Sequence, residues 1–352
     1  MIMSRTNEPA FFNRRRTGEN KLRRRLRKMT DSFSLLFSCP SFIETRTASQ
    51  NFQIASSRIM YFVPMKKPAL LSAVLLFSLL LNAHEFWLQP QKFYFTIREI
   101  ARVRFLVGEK LTGKNWEGGP EKIASLIHYA PSGNLYDLKM QVIKKGDSLQ
   151  IPMAEEGTHM LIFNSVNSFI QLDAPDFNAY LREEGLQNVL RYRIQHGEDK
   201  MPGKEYYQRS VKTIFQAGGK ITDSCLLPTT LPLDILPIEN PYMVPFGTNS
   251  EKPVKVRFQV IFNGRPLNGI LVKCSYHRGT ARLEDTGRTN RRGFISFDRH
   301  PGPNLISCVY MERSQADSAA QWQSYWGSLS FEYSQFFPGK TGSLNRTPGT
   351  KP

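Results

Sequence analysis

Six histidines are the side chains best equipped for chemistry in this 352-residue chain, and His84 has the most unusual setting. It stands in "SLLLNAHEFWLQP", residues 78–90, where a greasy run ends and a His-Glu pair followed by two aromatics begins. Cleavage after Ala83 would give His84 a free α-amine beside its imidazole. Together the two nitrogens would chelate one metal ion. With one further imidazole they suit copper or nickel, which favour nitrogen-rich, square-like geometry. Glu85 would then ligate the ion or orient a ligand from behind. The competing reading is that His84 simply begins the first strand.

His128 and His159 are the candidate partners, since both fall on strand-like runs in the same stretch as His84. His159 follows Gly157-Thr158 and is preferred. Each also reads as an ordinary half-buried histidine. His196 sits where a helical pattern frays into "HGEDK", and His277 and His300 are flanked by arginines, which disfavour a nearby cation. An Xaa-Xaa-His nickel terminus is excluded because Phe86 would be third. A zincin H-E-x-x-H is excluded because Leu88 stands where the second His would be. The chain has no G-x-S-x-G elbow, no G-x-G-x-x-G and no P-loop, which lowers the expectation of catalysis. Aromatics Phe86, Trp87, Trp322, Tyr325 and Trp326 read as packing groups, with a carbohydrate platform as the alternative.

The segment before His84 is consistent with a cut. Met65-Lys66-Lys67 is a start residue with a short positive region, residues 68–81 form an apolar run, and Ala83 is small, as a signal peptidase requires. The run is short for a membrane span, which needs about 20 apolar residues. A buried core helix or an uncleaved anchor is the alternative, and Leu81 is larger than usual three residues before a cut. The net charge of +17 is concentrated here: residues 1–83 carry 14 Lys and Arg against 4 Asp and Glu, leaving +7 for the rest. Residues 1–64 therefore read as a basic upstream extension, with a nucleic-acid-binding arm as the alternative; no nucleic-acid partner is expected for the rest. Export would place Cys225, Cys274 and Cys308 in an oxidising compartment, where Cys274 and Cys308 are the better pair. Three buried thiols fit the spacing as well.

The elements that must position these residues are mostly strands. Residues 84–175 alternate short β-runs with turns such as "APSGN" and "KKGD", the pattern of a β-sandwich. Residues 176–222 are expected to be helical: "DFNAYLREEGLQNVLRYRIQ" spaces its apolar residues helically, and "GKEYYQRSVKTIFQAG" reads as a second helix with Gly218 near its C-cap. Their charged side chains read as solvated. Residues 223–253 read as a proline-rich edge segment or interdomain connection, since prolines remove ladder donors. From 254 to 333 the β pattern returns as a second, smaller sandwich, with Asn263-Gly264 as a hairpin turn. Residues 334–352 look like a disordered tail.

The succession "AHEFWLQP", "EEGTHMLIFNS", "FNAYLREEGL", "LPLDILPIENPY", "VIFNGRPLNGILV", "TGRTNRRGFISF" and "WQSYWGSLSFE" resembles the DUF4198 family, over about residues 83–333. The resemblance implies an exported bacterial protein, often linked by label to nickel or cobalt uptake. The C-terminal part also resembles transthyretin-like or carboxypeptidase-regulatory-like sandwiches, with Asn290 where their turn has Asp and Gly293 serving the turn. It implies a mainly β fold of two Ig-like sandwiches with a helical insertion between them. A His is expected late in the second sandwich of relatives, where this chain has Tyr310.

The leading expectation is a periplasmic or secreted protein that binds nickel or cobalt, with copper as a chemical alternative, through His84, Glu85, His159 and His128. It would buffer the metal or deliver it to an envelope transporter. The alternative is an envelope module that binds protein or glycan without metal. A third reading, an oxidative copper enzyme, needs an open coordination position. N-terminal sequencing of the exported protein is expected to read His-Glu-Phe-Trp; any other terminus removes the amine-plus-imidazole site.

Overall fold

The protein's structure, a computed structural model, describes residues 85–142, 148–243, 254–314 and 319–333. His84 and the segments expected to be a basic extension (1–64), a signal peptide (65–83) and a tail (334–352) lie outside them. The described residues belong to one compact unit. The fold is mainly β, built from three open sheets.

The middle sheet has ten strands. Its path runs through β15 (Ala281–Arg288), β14 (Leu271–Arg278), β17 (Gly302–Arg313), β18 (Trp322–Tyr333), β10 (Gly203–Ala217), β8 (Gly157–Ser165), β5 (Ile123–Tyr129) and β6 (Leu135–Asp137). Strands β2 (Tyr94–Phe95) and β9 (Ser168–Leu172) add to β10. A second sheet orders β1 (Glu85–Pro90), β3 (Ile100–Glu109) and β4 (Thr112–Asn115), with β7 (Leu149–Pro152) also on β3. The third holds β11 (Leu233–Pro237), β12 (Lys255–Phe262), β13 (Arg265–Pro266) and β16 (Phe294–Asp298).

Side-chain alternation makes the middle sheet the centre of a layered core. On one face, Leu161 and Phe163 of β8 and Phe215 of β10 pack against Phe86, Leu88, Val103 and Phe105 of the second sheet. On the other face, Met160 and Ile162 of β8 meet Cys225 and Leu233 in a cluster that includes Phe258 of β12 and Phe331 of β18. Two α-helices among the described residues, α1 (Ala174–Glu183) and α2 (Gln187–Gln195), cover the remaining part with Phe177, Tyr180, Leu181, Val189 and Leu190 against Val309, Met311 and Trp322.

Strands expected in two separate sandwiches thus share one sheet, joined where β10 runs parallel to β18 over Glu205–Thr213 and Trp322–Ser330. Strand β18 places Leu329 and Phe331 on one face and Ser328 and Ser330 on the other. The small serines admit β1 closely: Ser328 Oγ donates to the Phe86 carbonyl (2.7 Å) and Ser330 Oγ to the Leu88 carbonyl (2.6 Å).

Several expectations are corrected. Residues 203–217, expected to be a helix, form the longest strand. From Ser210 to Ala217 every residue is buried, because both faces are covered, and such a strand loses the alternation that identifies strands. Gly203 lies against the Phe177 ring, where a Cβ would come within 2.2 Å; only glycine lets α1 sit on the start of β10. Arg193, expected in solvent, is fully buried, donating to the Glu198 and Met201 carbonyls (2.7 and 2.6 Å) and to Asn178 Oδ1 (3.2 Å). The helix end folds over it. Of the two readings of the cysteines, the buried-thiol one holds: Cys225, Cys274 and Cys308 are buried and free, with Cys274 facing Ile306 and Cys308 facing Val272 across β14 and β17, two positions out of register. The turn readings hold: Asn263 and Gly264 both have positive φ, and Asn290 Oδ1 accepts from the Arg292 and Phe294 amides, with Gly293 at φ +76°. Phe86, Trp87 and Trp322 are packing groups, all buried.

Phe163 is fully buried and stacks on Phe86 at 4.8 Å between ring centroids. Phe163→Ala is expected to cost about 3–5 kcal/mol in urea unfolding, against less than about 0.5 kcal/mol for Met140→Ala at an exposed position.

Candidate metal centre

The fold separates the expected ligands into two places. His128 lies on β5 opposite Leu161 of β8, and His159 lies on β8 opposite Phe215 of β10. They are diagonal cross-strand neighbours, and diagonal pairs are within reach of long or ring-bearing side chains. Their rings are nearly parallel, 7° apart in plane with centroids 5.1 Å apart, and His128 Nε2 lies 2.9 Å from His159 Nδ1. Tyr136 stacks on His128 at 5.8 Å and Phe215 on His159 at 5.6 Å. Both imidazoles are buried.

The bonding fixes the tautomers. His159 Nε2 is 2.9 Å from the Glu155 carbonyl oxygen, which only accepts, so Nε2 carries the hydrogen. In neutral His159 the Nδ1 lone pair then accepts from His128 Nε2–H. Burial pushes the His128 pKa down to about 4, and the neighbouring His159 adds to the shift. Burial also lowers the His159 pKa, opposed by its bond to the Glu155 carbonyl. Hydrogen bonds from Ser132 hold the Glu155 carboxyl below its usual range, with both imidazoles contributing. The pair is therefore neutral at pH 7 beside an ionised carboxylate.

A transition metal bonds imidazole nitrogen at about 2.0–2.1 Å, so two ligands at a right angle stand about 2.9 Å apart. The His128–His159 spacing of 2.9 Å fits that separation. Coordination would require the Nε2 hydrogen of His128 to leave for Nδ1 and both rings to turn their lone pairs off the line between them. The fit is that of a two-nitrogen half-site. Among the described residues, no group of three or more His, Cys, Asp or Glu side chains is arranged to hold a metal ion.

Glu85 lies elsewhere. Its carboxylate accepts from Ser307 Oγ (2.5 Å) and the Lys110 amide (3.2 Å). Burial raises its pKa, opposed by Ser307 and Lys273. Nearby, Lys273 Nζ bonds Glu184 Oε1 at 2.8 Å, and burial pushes the Glu184 pKa up to about 7 despite that lysine. Glu85 and Glu184 line one small pocket with Ser307 and Trp326. Sequence reading misses this cluster because Glu184 and Lys273 are 89 residues apart and share no motif. Ser307 is level with Ser328 of β18, whereas His159 is level with Phe215 of β10, two residues past Thr213, which faces Ser330. About four residue steps and three strand spacings separate Glu85 from His159, on the order of 20 Å. One ion cannot be shared by Glu85 and the histidine pair.

The remaining candidates have structural partners. His196 stacks on Tyr192, His277 meets the Lys110 carbonyl, and His300 pairs with Asp285 at 2.7 Å. Tyr310 packs on Phe262 and donates to Glu312.

A family model for a domain of unknown function, DUF4198, matches residues 81–312. No curated protein matches. Among solved structures, the three N-terminal domains of the bacteriophage RB49 highly immunogenic outer capsid protein Hoc are similar at 12% identity and TM-score 0.16, covering 71% of this chain and 59% of that one. Dimeric latent PorU from Porphyromonas gingivalis is similar at 14% identity and TM-score 0.15, covering 69% of this chain and 20% of that one. The chain thus spans under two thirds of either. No helix among the described residues is long and apolar enough to cross a membrane.

Both histidines titrate below the ordinary histidine value of 6.5. The folded state then binds fewer protons than the unfolded one, so their contribution to stability is complete above pH 6.5 and is lost as pH falls towards about 4. Urea midpoints measured across that window are expected to fall more steeply for wild type than for His128→Gln.

Proposed function

Given that the chain belongs to the DUF4198 family, we propose that it binds a transition-metal ion in a nitrogen-donor site centred on His128 and His159. The observation that carries this reading is the neutral imidazole pair, its facing nitrogens 2.9 Å apart and the far nitrogen of His159 tied to a backbone carbonyl. Metal ligation needs unprotonated imidazole, and burial supplies it here at neutral pH. A ligating histidine typically gives its other N–H to a carbonyl or carboxylate, as His159 does to Glu155. Imidazole donors suit nickel, cobalt, copper and zinc; nickel or cobalt is proposed from the family's labels.

In this reading the protein is exported, and it buffers the metal or hands it to an envelope transporter. An N-terminal His84, if processing frees its amine, forms a second and separate two-nitrogen site beside Glu85. Each half of the middle sheet, with the sheet that covers it, corresponds to one Ig-like sandwich, the helices being inserted between the two. A second reading is an envelope module that binds protein or glycan without metal. It is favoured by the hydrogen bond that already satisfies the two facing nitrogens.

Calorimetric titration with nickel, cobalt and copper separates the readings. Wild type is expected to bind one of them at micromolar concentration, and His159→Gln to weaken that binding at least about tenfold. His84→Ala is expected to leave this site unchanged. No binding by folded wild type sinks the metal reading.

A further inference from the structure

Lys212 and Asp234 form an ion pair with both side chains only 1% exposed. Lys212 projects from β10 in the middle sheet and Asp234 from β11 in the sheet that covers it. Leu231, Leu233, Ile235 and the Cys225 thiol are buried in the same layer; Cys225 is an electrostatic neighbour of Lys212 and Tyr129 of Asp234. Charges buried this way lose their hydration, which their attraction offsets only with good geometry and further hydrogen bonds. Here the further bonds are one-sided. Asp234 Oδ2 accepts from the Thr229 amide (2.8 Å) and Thr229 Oγ1 (3.0 Å). Lys212 Nζ and Asp234 Oδ1 touch, yet neither makes an aligned hydrogen bond among the described residues.

We propose that Lys212 and Asp234 are joined by an intramolecular amide bond, a covalent staple between the middle sheet and the sheet over it. In the first step the Lys212 ammonium passes a proton to Asp234 Oδ1, giving the amine and the carboxylic acid that react. The Nζ lone pair attacks Cγ. Negative charge develops on Oδ2, where the Thr229 N–H and O–H already point, in the arrangement of an oxyanion hole. The C–Oδ1 bond breaks as Oδ1 takes a second proton from the attacking nitrogen and leaves as water. One C–N bond forms, one C–O bond breaks, and one water is released; no oxidant or cofactor takes part. Two buried charges disappear. Contact enforced by the fold replaces a bimolecular encounter, the advantage that makes intramolecular acyl transfer fast without an enzyme.

The test is mass spectrometry of the purified, fully denatured full-length chain, with peptide mapping. Wild type is expected to be lighter than its sequence by one water and to give a branched peptide joining the segments that carry Lys212 and Asp234. Lys212→Arg and Asp234→Ala are expected at full mass. Thr229→Val keeps the packing volume and is expected to leave a larger uncross-linked fraction. Wild type at full mass, or a loss of water with the two segments in separate peptides, as a succinimide would give, overturns the proposal. The wild-type measurement decides the matter even if a variant fails to fold.

Discussion

The parallel pairing of β10 with β18 is the constraint on which the rest of the structure depends. Strands adjoining in parallel need a long crossover, and here it runs from Ala217 to Trp322, through the whole covering sheet and the C-terminal strands. The pairing merges two sets of strands into one sheet, and that sheet is then buried on both faces. Everything else is arranged to cover it: the sheet containing β1 and the two helices on one side, the sheet containing β12 on the other.

A sheet covered on both faces has few places for polar groups, and the ones it contains need partners. Ser328 and Ser330 answer this by donating to β1 carbonyls, which docks β1 without a backbone ladder to β18. Glu205 is fully interior, and burial lifts its pKa to about 7, but Tyr180 and Ser324 both donate to it. Gln216 bonds Thr158 and three backbone carbonyls that shape the turn after β10. In each case a polar side chain fixes a neighbouring segment's position, so the interior polarity specifies how layers meet.

The same double burial explains what was legible in the sequence. Outer-sheet strands covered on one face keep their alternation, as β3, β7 and the first part of β12 do: β12 reads Val256 and Phe258 inward between Lys255, Arg257 and Gln259. Turns with a chemical requirement, such as Asn263-Gly264 and Asn290 to Gly293, were also readable. Strand β10 was not, since Val211, Ile214 and Phe215 are buried for reasons that lie on two faces and mimic a helical stripe. At the site, the placement of His128 and His159 on strands of one stretch was readable, but their contact with each other was not, since it depends on the diagonal register of β5 and β8. Their separation from Glu85 was not, because it is set by the strand order β17–β18–β10–β8, in which chain neighbours are not sheet neighbours. The Lys212–Asp234 and Glu184–Lys273 pairs were invisible for the same reason.

Charge balance distinguishes the Glu85 cluster from the histidine pair. Beside Glu85 the field is already compensated, since Lys273 lies against Glu184 and contributes to Glu85 as well. A metal ion there would depend on the nitrogens of a processed His84 rather than on these carboxyls, which burial pushes towards their neutral forms beside an ammonium group. At the histidine pair the rings are neutral, and the carboxylate of Glu155, held ionised by Ser132, acts electrostatically on both. Glu155 also orients His159 through its carbonyl. One residue therefore fixes the tautomer of a ligand and supplies the counter-charge that an ion entering a buried site requires. Because Glu155 and His159 are four residues apart at the start of β8, a single turn of chain delivers both.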